Sequence, residues 1–351
     1  MHGFSIYLSH PIDKSYIDSM IDLGYTTIFT SVQIPEEDDD TKYRYLIELL
    51  DYLSTKQVTY MIDINPSLLN HSFYQFLQQY EQAHFIIRID HSTSIDIVTE
   101  IINHGFHCCL NASIVSELLL QQLSYQLEDF SHLCYCHNYY PRPDTGLESQ
   151  FVKAQNEMIL KYNAHANIYG FIAGSTLRGP IYKGLPTIEA TRYKHPIESA
   201  QILRDHFVAH IMIGDTQLHL EYAKRLMDFL RHRHFSLTIE VLDQQAQYIL
   251  EKTHTVRPDN PGKVIRSQEA RHYCTTEIQP FLTNERYYGA ITIDNIRNGR
   301  YQGELQLIKE HLPSHEHINI VGKVLAEDES LLHCMRPNDK FNFINKSTEL
   351  R

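Results

Sequence analysis

The chain has 351 residues, of which 42% are hydrophobic and 21% are charged, and it carries a formal net charge of −12. This composition is typical of a globular protein with one large domain or two. The negative charge argues against a nucleic acid or an anionic membrane surface as partner. Since the sequence contains neither a recognisable signal peptide nor an apolar run of the roughly 20 residues that span a bilayer, we expect a soluble cytoplasmic protein.

Short β-rich segments alternate with amphipathic helical patterns through the first two thirds of the chain. The predicted strands are 3–9, 26–33, 58–64, 85–90, 106–112, 132–137, 167–173 and 208–214. The predicted helices lie near 13–23, 41–56, 67–81, 93–104, 114–124, 147–163, 195–206 and 216–231. Gly24 and Gly105 follow two of these helices, as helix-terminating glycines do.

The predicted strands are nearly continuous apolar runs, which are typical of a parallel sheet buried on both faces. Eight strand–helix units in about 230 residues indicate a (β/α)8 TIM barrel. A doubly wound sheet would also alternate, but it needs a glycine-rich phosphate-binding turn after the first strand. The chain has Ser9-His10-Pro11 there, so we predict the barrel.

From about residue 235 the pattern changes to a mostly β arrangement. Runs at 289–296 and 300–307 flank Asn298-Gly299, which predicts a hairpin with a type I′ turn. Further strands are expected at 235–241, 317–326 and 341–344. We therefore predict a barrel domain over residues 1–234 and a small β domain over residues 235–351.

The six cysteines and 22 histidines do not form a recognisable metal or disulfide pattern. Neither Cys-x-x-Cys nor His-Glu-x-x-His is present. We expect buried, reduced thiols and no metal site.

Polar side chains follow many of the predicted barrel strands, and this carboxyl face is where barrels place their active sites. They contain no lysine, which argues against Schiff-base and pyridoxal phosphate chemistry, so we predict no cofactor. These side chains are Ser9, Asp63, Asn65, Asp90, Asn111, Ser113, His137, Asn138, Tyr140, Ser175 and Asp215. The acidic run 36–40 also follows a strand; Glu36 and Glu37 are close enough to enter the mouth, although a solvated loop is the simpler interpretation.

Asp63 and Asp90 belong to the neighbouring predicted strands 58–64 and 85–90, and each directly follows an apolar core run. Adjacent strands lie roughly 4.8 Å apart, so the two carboxyls could approach within about 5–6 Å. Like charges that close would raise one pKa and leave one acid protonated, which is the division of roles in a glycosidase. Helix N-caps are the structural alternative for both residues.

Arginines are the candidate anion ligands, with surface salt bridges as the alternative. Arg178, Lys183 and Arg192 lie in a long loop after the seventh strand, together with Glu189 as a third candidate carboxylate. Arg257, Arg266 and Arg271 lie in the predicted β domain.

The sequence resembles the bacterial 6-phospho-N-acetylmuramidase family, whose motifs it contains in the same order along almost the whole chain. The pattern after Leu185 departs from the family, because Ala190-Thr191-Arg192 keeps the arginine but lacks the histidine that usually precedes it. The resemblance is carried by Phe29-Thr30-Ser31, Asp63, Arg88-Ile89-Asp90, Leu110-Asn111-Ala112-Ser113, His137-Asn138, Tyr140-Pro141, Thr145-Gly146-Leu147, Arg178-Gly179-Pro180, Gly184-Leu185-Pro186-Thr187, Glu189, Ile213-Gly214-Asp215 and 300–305.

The resemblance implies a barrel followed by a cyclophilin-like domain. It implies a glycoside hydrolase of peptidoglycan recycling that cleaves the β-1,4 bond between N-acetylmuramic acid 6-phosphate and N-acetylglucosamine. In that reaction Asp63 or Asp90 would be the general acid, with Glu189 in reserve. The expected substrate ligands are Asn111, His137, Asn138, Tyr140, Arg178, Arg192, Arg257 and Arg271.

Two other functions are compatible with the residues. A metal-dependent barrel hydrolase or isomerase acting on a sugar phosphate could use Asp63, Asp90, His137 and Asp215 as ligands. A non-catalytic sugar-phosphate binding protein is the other possibility. The sequence leaves open the oligomeric state, retention or inversion of the anomeric centre, and whether the β domain contributes to the site.

Overall fold

The computed structural model describes residues 1–33, 39–91, 93–259 and 261–346. By contacts, the chain divides into two compact units, Met1–Ala223 and Lys224–Arg351. This division falls inside a helix, and the domain boundary at residues 234/235 stays a prediction. Among the described residues, no helix has the length and hydropathy that crossing a bilayer requires.

The first unit is built on a closed barrel of eight parallel strands, which confirms the barrel predicted from the sequence. The strands are β1 Gly3–Ser5, β2 Thr27–Ser31, β3 Thr59–Asp63, β4 His84–Ile89, β5 His107–Asn111, β6 Leu133–Cys136, β7 Asn167–Ile172 and β8 His210–Ile213. The helices that follow them are α1 Lys14–Asp22, α2 Asp39–Tyr52, α3 His71–Gln78, α4 Ile95–Asn103, α5 Glu117–Gln126, α6 Ser149–Tyr162, α7 Pro196–Asp205 and α8 Leu220–His232.

Local sequence determines where the barrel helices begin and end. The Ser94 hydroxyl accepts from the Ile97 N–H and caps α4, which buries Val98 and Ile101. Gly24 and Gly105 follow α1 and α4 with φ of 96° and 87°. These are the left-handed conformations that terminate helices.

The interior of the barrel is packed with side chains, as in other closed eight-stranded barrels. Tyr139, half-buried, packs against this interior and closes it towards the carboxyl ends of the strands. All six cysteines are free, and all except Cys274 are buried, as expected. The interior cluster consists of Phe29, Met61, Ile86, Cys109, Cys134, Cys136, Tyr169, Phe171 and Met212.

The second unit contains a seven-stranded mixed sheet in the order β10-β15-β9-β14-β12-β13-β11. Its strands are β9 His234–Val241, β10 His254–Thr255, β11 Val264–Arg266, β12 Ala290–Asp294, β13 Leu305–Ile308, β14 Ile318–Val324 and β15 Lys340–Asn345. Two short helices, α9 Gln247–Leu250 and α10 Ala270–Tyr273, accompany it.

The predicted hairpin around Asn298-Gly299 is present, but the predicted type I′ turn is wrong. β12 and β13 pair in antiparallel fashion, with Ile293 opposite Leu305. They are joined by a 3-10 segment, Ile296–Tyr301, in which Gly299 has φ 57° and ψ −119°. A type I′ turn needs positive φ at two central residues. The Asn295 side chain instead accepts from the Arg297 N–H and starts the 3-10 segment.

Candidate active site

The carboxyl end of the barrel is organised around Arg88 on β4, whose side chain is 3% exposed. Its Nη1 donates to Asp63 Oδ1 at 2.6 Å, and its Nη2 donates to Asp90 Oδ1 at 3.0 Å. Nη2 also donates to the amide oxygen of Asn138. Burial acts to lower the pKa of Arg88, but Asp63 and, less strongly, Asp90 hold it above its ordinary value. One charged guanidinium therefore links the ends of β3, β4 and β6.

Strand register explains how Asp63 reaches Arg88. The two residues are paired across β3 and β4, and Ser31 is paired with Asp63 across β2 and β3. The Ser31 hydroxyl and Gln33 Nε2 donate to Asp63 Oδ2 at 2.9 and 2.8 Å. Both oxygens of Asp63 are thus occupied by hydrogen bonds within the protein.

Asp90 is held on one side and open on the other. Its Oδ1 accepts from Arg88 and from Asn111 Nδ2, the latter at 2.8 Å. Asn111 is fixed in turn by the Ser113 N–H, which donates to its Oδ1 at 2.9 Å. Asp90 Oδ2 lies 2.8 Å from Nε2 of His91, a side chain that is 74% exposed. Asp90 therefore has one oxygen inside the network and one beside an exposed imidazole.

Neither carboxylate caps a helix. The Asn70 side chain accepts from a backbone N–H at the start of α3, and Ser94 does so at the start of α4. The prediction of a bare pair of like charges is also incomplete, because Arg88 lies between Asp63 and Asp90 and compensates both.

A cavity of about 160 Å³ opens at this network. Most small-molecule sites have roughly 300–1,000 Å³, so this cavity accommodates only one part of a larger ligand. A second cavity of about 300 Å³ lies beside it; Asn111 lines this one, together with Thr93 and residues at the start of α5. The first cavity is lined by Phe29, Asp63, Arg88, Asp90, Asn138, Tyr139 and Phe171.

The mouth continues beyond this cavity to Tyr139, Tyr7 and Arg178. The Tyr139 ring packs edge-on against Phe171, with centroids 5.2 Å apart. The Arg178 guanidinium lies 3.9 Å from the centroid of the Tyr7 ring. Burial raises the pKa of Tyr139, and the Arg178 charge opposes that shift, so this charge acts on the cavity wall. Arg178 thus lies over the Tyr7 ring near this cavity wall, and its role as an anion ligand stays a prediction.

Asp215 positions the backbone around Arg178. Its fully buried carboxylate accepts from the backbone N–H groups of Gly174, Arg178 and Leu185 at 2.9, 2.9 and 3.0 Å. Three hydrogen bonds tie the loop after β7 to the end of β8. Asp215 is therefore a structural anchor rather than a ligand in the mouth.

His137 does not point into the mouth, which differs from the expectation of a substrate ligand. It is fully buried, with Nε2 2.9 Å from Asn156 Oδ1 and Nδ1 3.1 Å from Ser113 Oγ. An amide oxygen only accepts, so Nε2 carries the proton. Burial lowers the pKa of His137 to about 4. The residue is a neutral imidazole that joins β6 to α6.

Glu189 and Arg192 also differ from their expected roles. Arg192, 3% exposed, donates through Nε and Nη2 to the Glu189 carboxylate and through Nη1 to the Tyr140 and Gly184 carbonyls. The Gly146 N–H donates to Glu189 at 2.7 Å. Arg192, opposed by burial, lowers the pKa of Glu189 to about 2. The pair fastens the loop after β6 to the loop after β7, so neither side chain is poised for catalysis or ligand binding.

The remaining predicted ligands lie in different parts of the molecule. Tyr140 is half-buried at the mouth; burial raises its pKa, and Ser113 opposes the shift. Arg257 and Arg271 belong to the second unit. Glu36 and Glu37 lie outside the described residues.

The proposed metal ligands are not assembled around one point. Arg88 separates Asp63 from Asp90, His137 binds Asn156, and Asp215 binds backbone amides. Among the residues that the structure describes, no group of three or more His, Cys, Asp or Glu side chains could hold a metal ion.

Sequence reasoning missed Arg88, Tyr139 and Tyr7 as members of the site. A signal for Arg88 was present, since it is a single charge in the apolar run 85–89. Tyr139 lay within the polar segment that follows β6. Tyr7 had no distinguishing pattern, because its place depends on the loop that carries Arg178.

The first unit is a closed parallel barrel with two carboxyls and an arginine at the carboxyl ends of its strands, which is the face where barrel enzymes place their active sites. Two family models, described as the N-terminal and C-terminal parts of 6-phospho-N-acetylmuramidase, match residues 2–228 and 234–344. The chain belongs to the 6-phospho-N-acetylmuramidase family, a family of glycoside hydrolases.

Two solved structures are similar over nearly their whole length. A conserved protein of unknown function from Enterococcus faecalis is 28% identical, with a TM-score of 0.85 over 99% of this chain and 97% of that one. An uncharacterized protein from B. cereus is 23% identical, with a TM-score of 0.77 over 98% and 100% of the two chains, and shows the same fold. A search of curated proteins found no match.

Proposed function

We propose that this protein hydrolyses the β-1,4 bond of N-acetylmuramic acid 6-phosphate–N-acetylglucosamine and releases the two sugars, in the cytoplasmic recycling of peptidoglycan. Family membership supports the reaction class. The observation that carries the proposal is the placement of Asp90, fixed by Arg88 and Asn111 at a cavity in the barrel mouth. The reaction as proposed uses no cofactor or metal.

Asp90 is the carboxyl that transfers the proton. Its Oδ2 is the oxygen that Arg88 and Asn111 leave unoccupied, and exposed His91 connects it to solvent. Asp63 is not the nucleophile in this proposal, because both its oxygens already accept hydrogen bonds. Its role is to keep Arg88 in place, and Arg88 in turn orients Asp90 and Asn138.

The substrate itself supplies the nucleophile. The carbonyl oxygen of the 2-acetamido group attacks the anomeric carbon while Asp90 gives its proton to the leaving oxygen of N-acetylglucosamine. Asp90 then takes a proton from the water that attacks the same carbon, which reopens the ring formed by the acetamido group. Two displacements at one carbon retain the anomeric configuration. Asn138, Tyr140 and Asn111 are the proposed partners of the acetamido group and ring hydroxyls.

Arg178 is the proposed ligand of the 6-phosphate. A guanidinium group presents paired donors to phosphate oxygens, and Asp215 fixes the backbone at this residue. Asp90 lines the cavity of about 160 Å³, and Asn111, which is hydrogen-bonded to Asp90, lines the cavity of about 300 Å³. These two cavities are the proposed places of the two sugar rings.

We also propose that the second unit has a cyclophilin-like fold and that the boundary between the two domains lies at residues 234/235 of the sequence. The seven-stranded mixed sheet, which begins with β9 at His234, supports this assignment.

The test is product analysis by mass spectrometry on the disaccharide 6-phosphate, with a chelator present, for the wild-type protein and for Asp90→Asn. We expect both sugars from the wild type and almost none from the variant. Saturable binding without cleavage by the wild type would indicate a binding protein instead. Cleavage that the chelator abolishes would indicate the metal-dependent alternative.

A further inference from the structure

The second unit contains three arginines that the proposed reaction in the barrel does not use. Arg257 follows β10, Arg266 ends β11 and Arg271 lies in α10; we call them the arginine cluster. Arg266 and Arg271 contact Glu304, which is 3% exposed, and Arg257 is joined to Arg266 through Asp259. Arg266 donates through Nε to Glu304 Oε1, and Arg271 Nε lies 3.4 Å from Glu304 Oε2. One buried carboxylate therefore holds two guanidinium groups together.

The arginine cluster carries more positive charge than its partners neutralise. Among the described residues, the other carboxylate within ion-pair distance of the cluster is Asp259, which binds Arg257 at 2.7 and 2.9 Å and Arg266 at 3.1 Å. Asp259 is 53% exposed, so water weakens its hold on both arginines. Three cations face two anions, which leaves one positive charge in a chain whose net charge is −12.

Behind the cluster lies a further pair of opposite charges. Burial raises the pKa of Asp294 to about 6, and Glu304 adds to this shift. Arg266 of the cluster and Arg286 both act on Asp294 in the opposite direction. With Asp294 and Arg286 included, four cations face three anions, so the surplus of one positive charge remains.

Part of the hydrogen-bonding capacity of the cluster is unused. Within the described part of the chain, no acceptor is bonded to Nη1 or Nη2 of Arg271 or to Nη1 of Arg257. The two side chains are 36% and 28% exposed, so these donors are accessible to a ligand.

A glycine makes this arrangement possible. Gly303 has φ of 83°, and a Cβ there would lie 2.4 Å from the Cys274 Cβ and 3.5 Å from the Arg271 Cα. Only glycine allows the chain to pass this close to α10 in that conformation. Glu304 follows Gly303 in the chain, and its Oε2 lies 3.4 Å from Arg271 Nε, so a buried carboxylate faces this guanidinium before any ligand arrives.

We propose that the arginine cluster is an anion-binding site of the second unit, which takes a phosphate group through Arg257 and Arg271. Guanidinium groups bind the oxygens of phosphate through parallel N–H donors. The ligand is inorganic phosphate or the phosphate of a sugar phosphate, which share this chemistry. The site goes beyond the proposed reaction and stands or falls separately from it.

The test is a calorimetric titration of the full chain with inorganic phosphate. Arg178→Gln first removes the cation assigned to the barrel mouth. Arg271→Gln is then added to it, and Arg297→Gln is added in a parallel protein as control. Arg297 is an exposed arginine of the same unit, 3.4 Å from exposed Glu316 and outside the cluster.

We expect the Arg178→Gln protein to retain saturable phosphate binding. Adding Arg271→Gln should weaken that binding about tenfold or more, because charge-assisted hydrogen bonds are lost, and adding Arg297→Gln should not change it. Absence of saturable binding by Arg178→Gln, or unchanged affinity with Arg271→Gln, would overturn the proposal.

A second variant and a second ligand distinguish loss of phosphate binding from loss of folding and define the ligand. Arg257→Gln replaces Arg271→Gln if the latter unfolds at a lower temperature than its parent, with the same result expected. A parallel titration with glucose 6-phosphate shows whether the site accepts a sugar-bound phosphate. Disaccharide cleavage by the wild type is measured independently, so its failure would not be confused with failure of this site.

Discussion

Asp63 and Arg88 face each other in register across β3 and β4, with Oδ1 and Nη1 2.6 Å apart and side chains that are 11% and 3% exposed. Each charge compensates the other in a region that water hardly reaches. This pairing explains why an arginine is tolerated within the apolar strand β4. It also directs Nη2, the other terminal nitrogen of the guanidinium, to Asp90, to which it donates a hydrogen bond. The same contact therefore contributes to the stability of the barrel and to the geometry of its mouth.

Replacing Asp63 with Asn should destabilise the barrel. Loss of one partner of a buried pair leaves the other charge uncompensated, and such losses cost about 3–5 kcal/mol. Urea unfolding followed by circular dichroism measures the change in the free energy of unfolding. Asp18→Asn is the control, since Asp18 pairs with Lys56 at 2.8 Å on the surface and should matter little. Equal loss of stability in the two variants would contradict the role given to Arg88.

Replacing Asp90 with Asn should abolish most of the turnover while the protein stays folded. General acid–base groups contribute about 10²–10⁴-fold to rate, and we expect kcat to fall within that range. Steady-state cleavage of the disaccharide 6-phosphate measures it. Asp96→Asn is the control, because Asp96 is an exposed carboxylate in the first turn of α4 and should retain wild-type turnover.

The Glu189→Gln variant tests which of the two candidate residues, Asp90 or Glu189, is the general acid. A carboxyl whose pKa is about 2 holds no proton to donate near neutral pH, and Glu189 is engaged with Arg192. We therefore expect the Glu189→Gln variant to have a lower thermal stability than the wild type. Its loss of turnover should be much smaller than that of Asp90→Asn. A loss of turnover as large as that of Asp90→Asn, with unchanged stability, would instead make Glu189 the acid.

Arg178→Gln should weaken the preference for phosphorylated substrate. The loss of a charge-assisted contact to phosphate should lower kcat/KM for the disaccharide 6-phosphate about tenfold or more and should change cleavage of the unphosphorylated disaccharide much less. Arg44→Gln is the matched control, since Arg44 lies over Tyr45 at 4.8 Å as Arg178 lies over Tyr7. Equal losses on both substrates would show that Arg178 does not contact the phosphate.

Much of the barrel could be predicted from the sequence. Continuous apolar runs predicted the strands, and the polar residues directly after them, Asp63, Asp90 and Asn111, meet at one mouth. This follows because parallel strands of a barrel all end on the same face. The position of a residue along its strand was therefore enough to bring these three together.

The direction of individual side chains could not be predicted in the same way. His137 follows β6 as Asp90 follows β4, yet it turns to Asn156 on α6, a contact that depends on helix packing. Arg192 is of the residue type that binds anions, but its hydrogen bonds go to five residues of the protein's own loops, Tyr140, Arg142, Lys183, Gly184 and Glu189. Loop conformations of this kind are set by tertiary contacts that sequence patterns do not contain.

Because two of its histidines are buried, we expect the protein to lose stability in mild acid. Burial lowers the pKa of His137 and of His254 to about 4, against about 6.5 in an unfolded chain. Between these values the unfolded chain binds protons that the native one does not. Stability should thus be fully present above about pH 6.5 and fall towards pH 4, by up to about 3 kcal/mol per histidine. Urea midpoints measured across this range test it, and a constant midpoint would contradict it.

The most direct test of the account is the ratio of kcat/KM for the disaccharide 6-phosphate to that for the same disaccharide without phosphate, measured on the wild-type protein with a chelator present. We expect strong preference for the phosphorylated substrate, because the proposed mechanism assigns Arg178 to the phosphate and Asp90 to the glycosidic oxygen. Equal cleavage of the two substrates, or cleavage of neither, would contradict the proposed function.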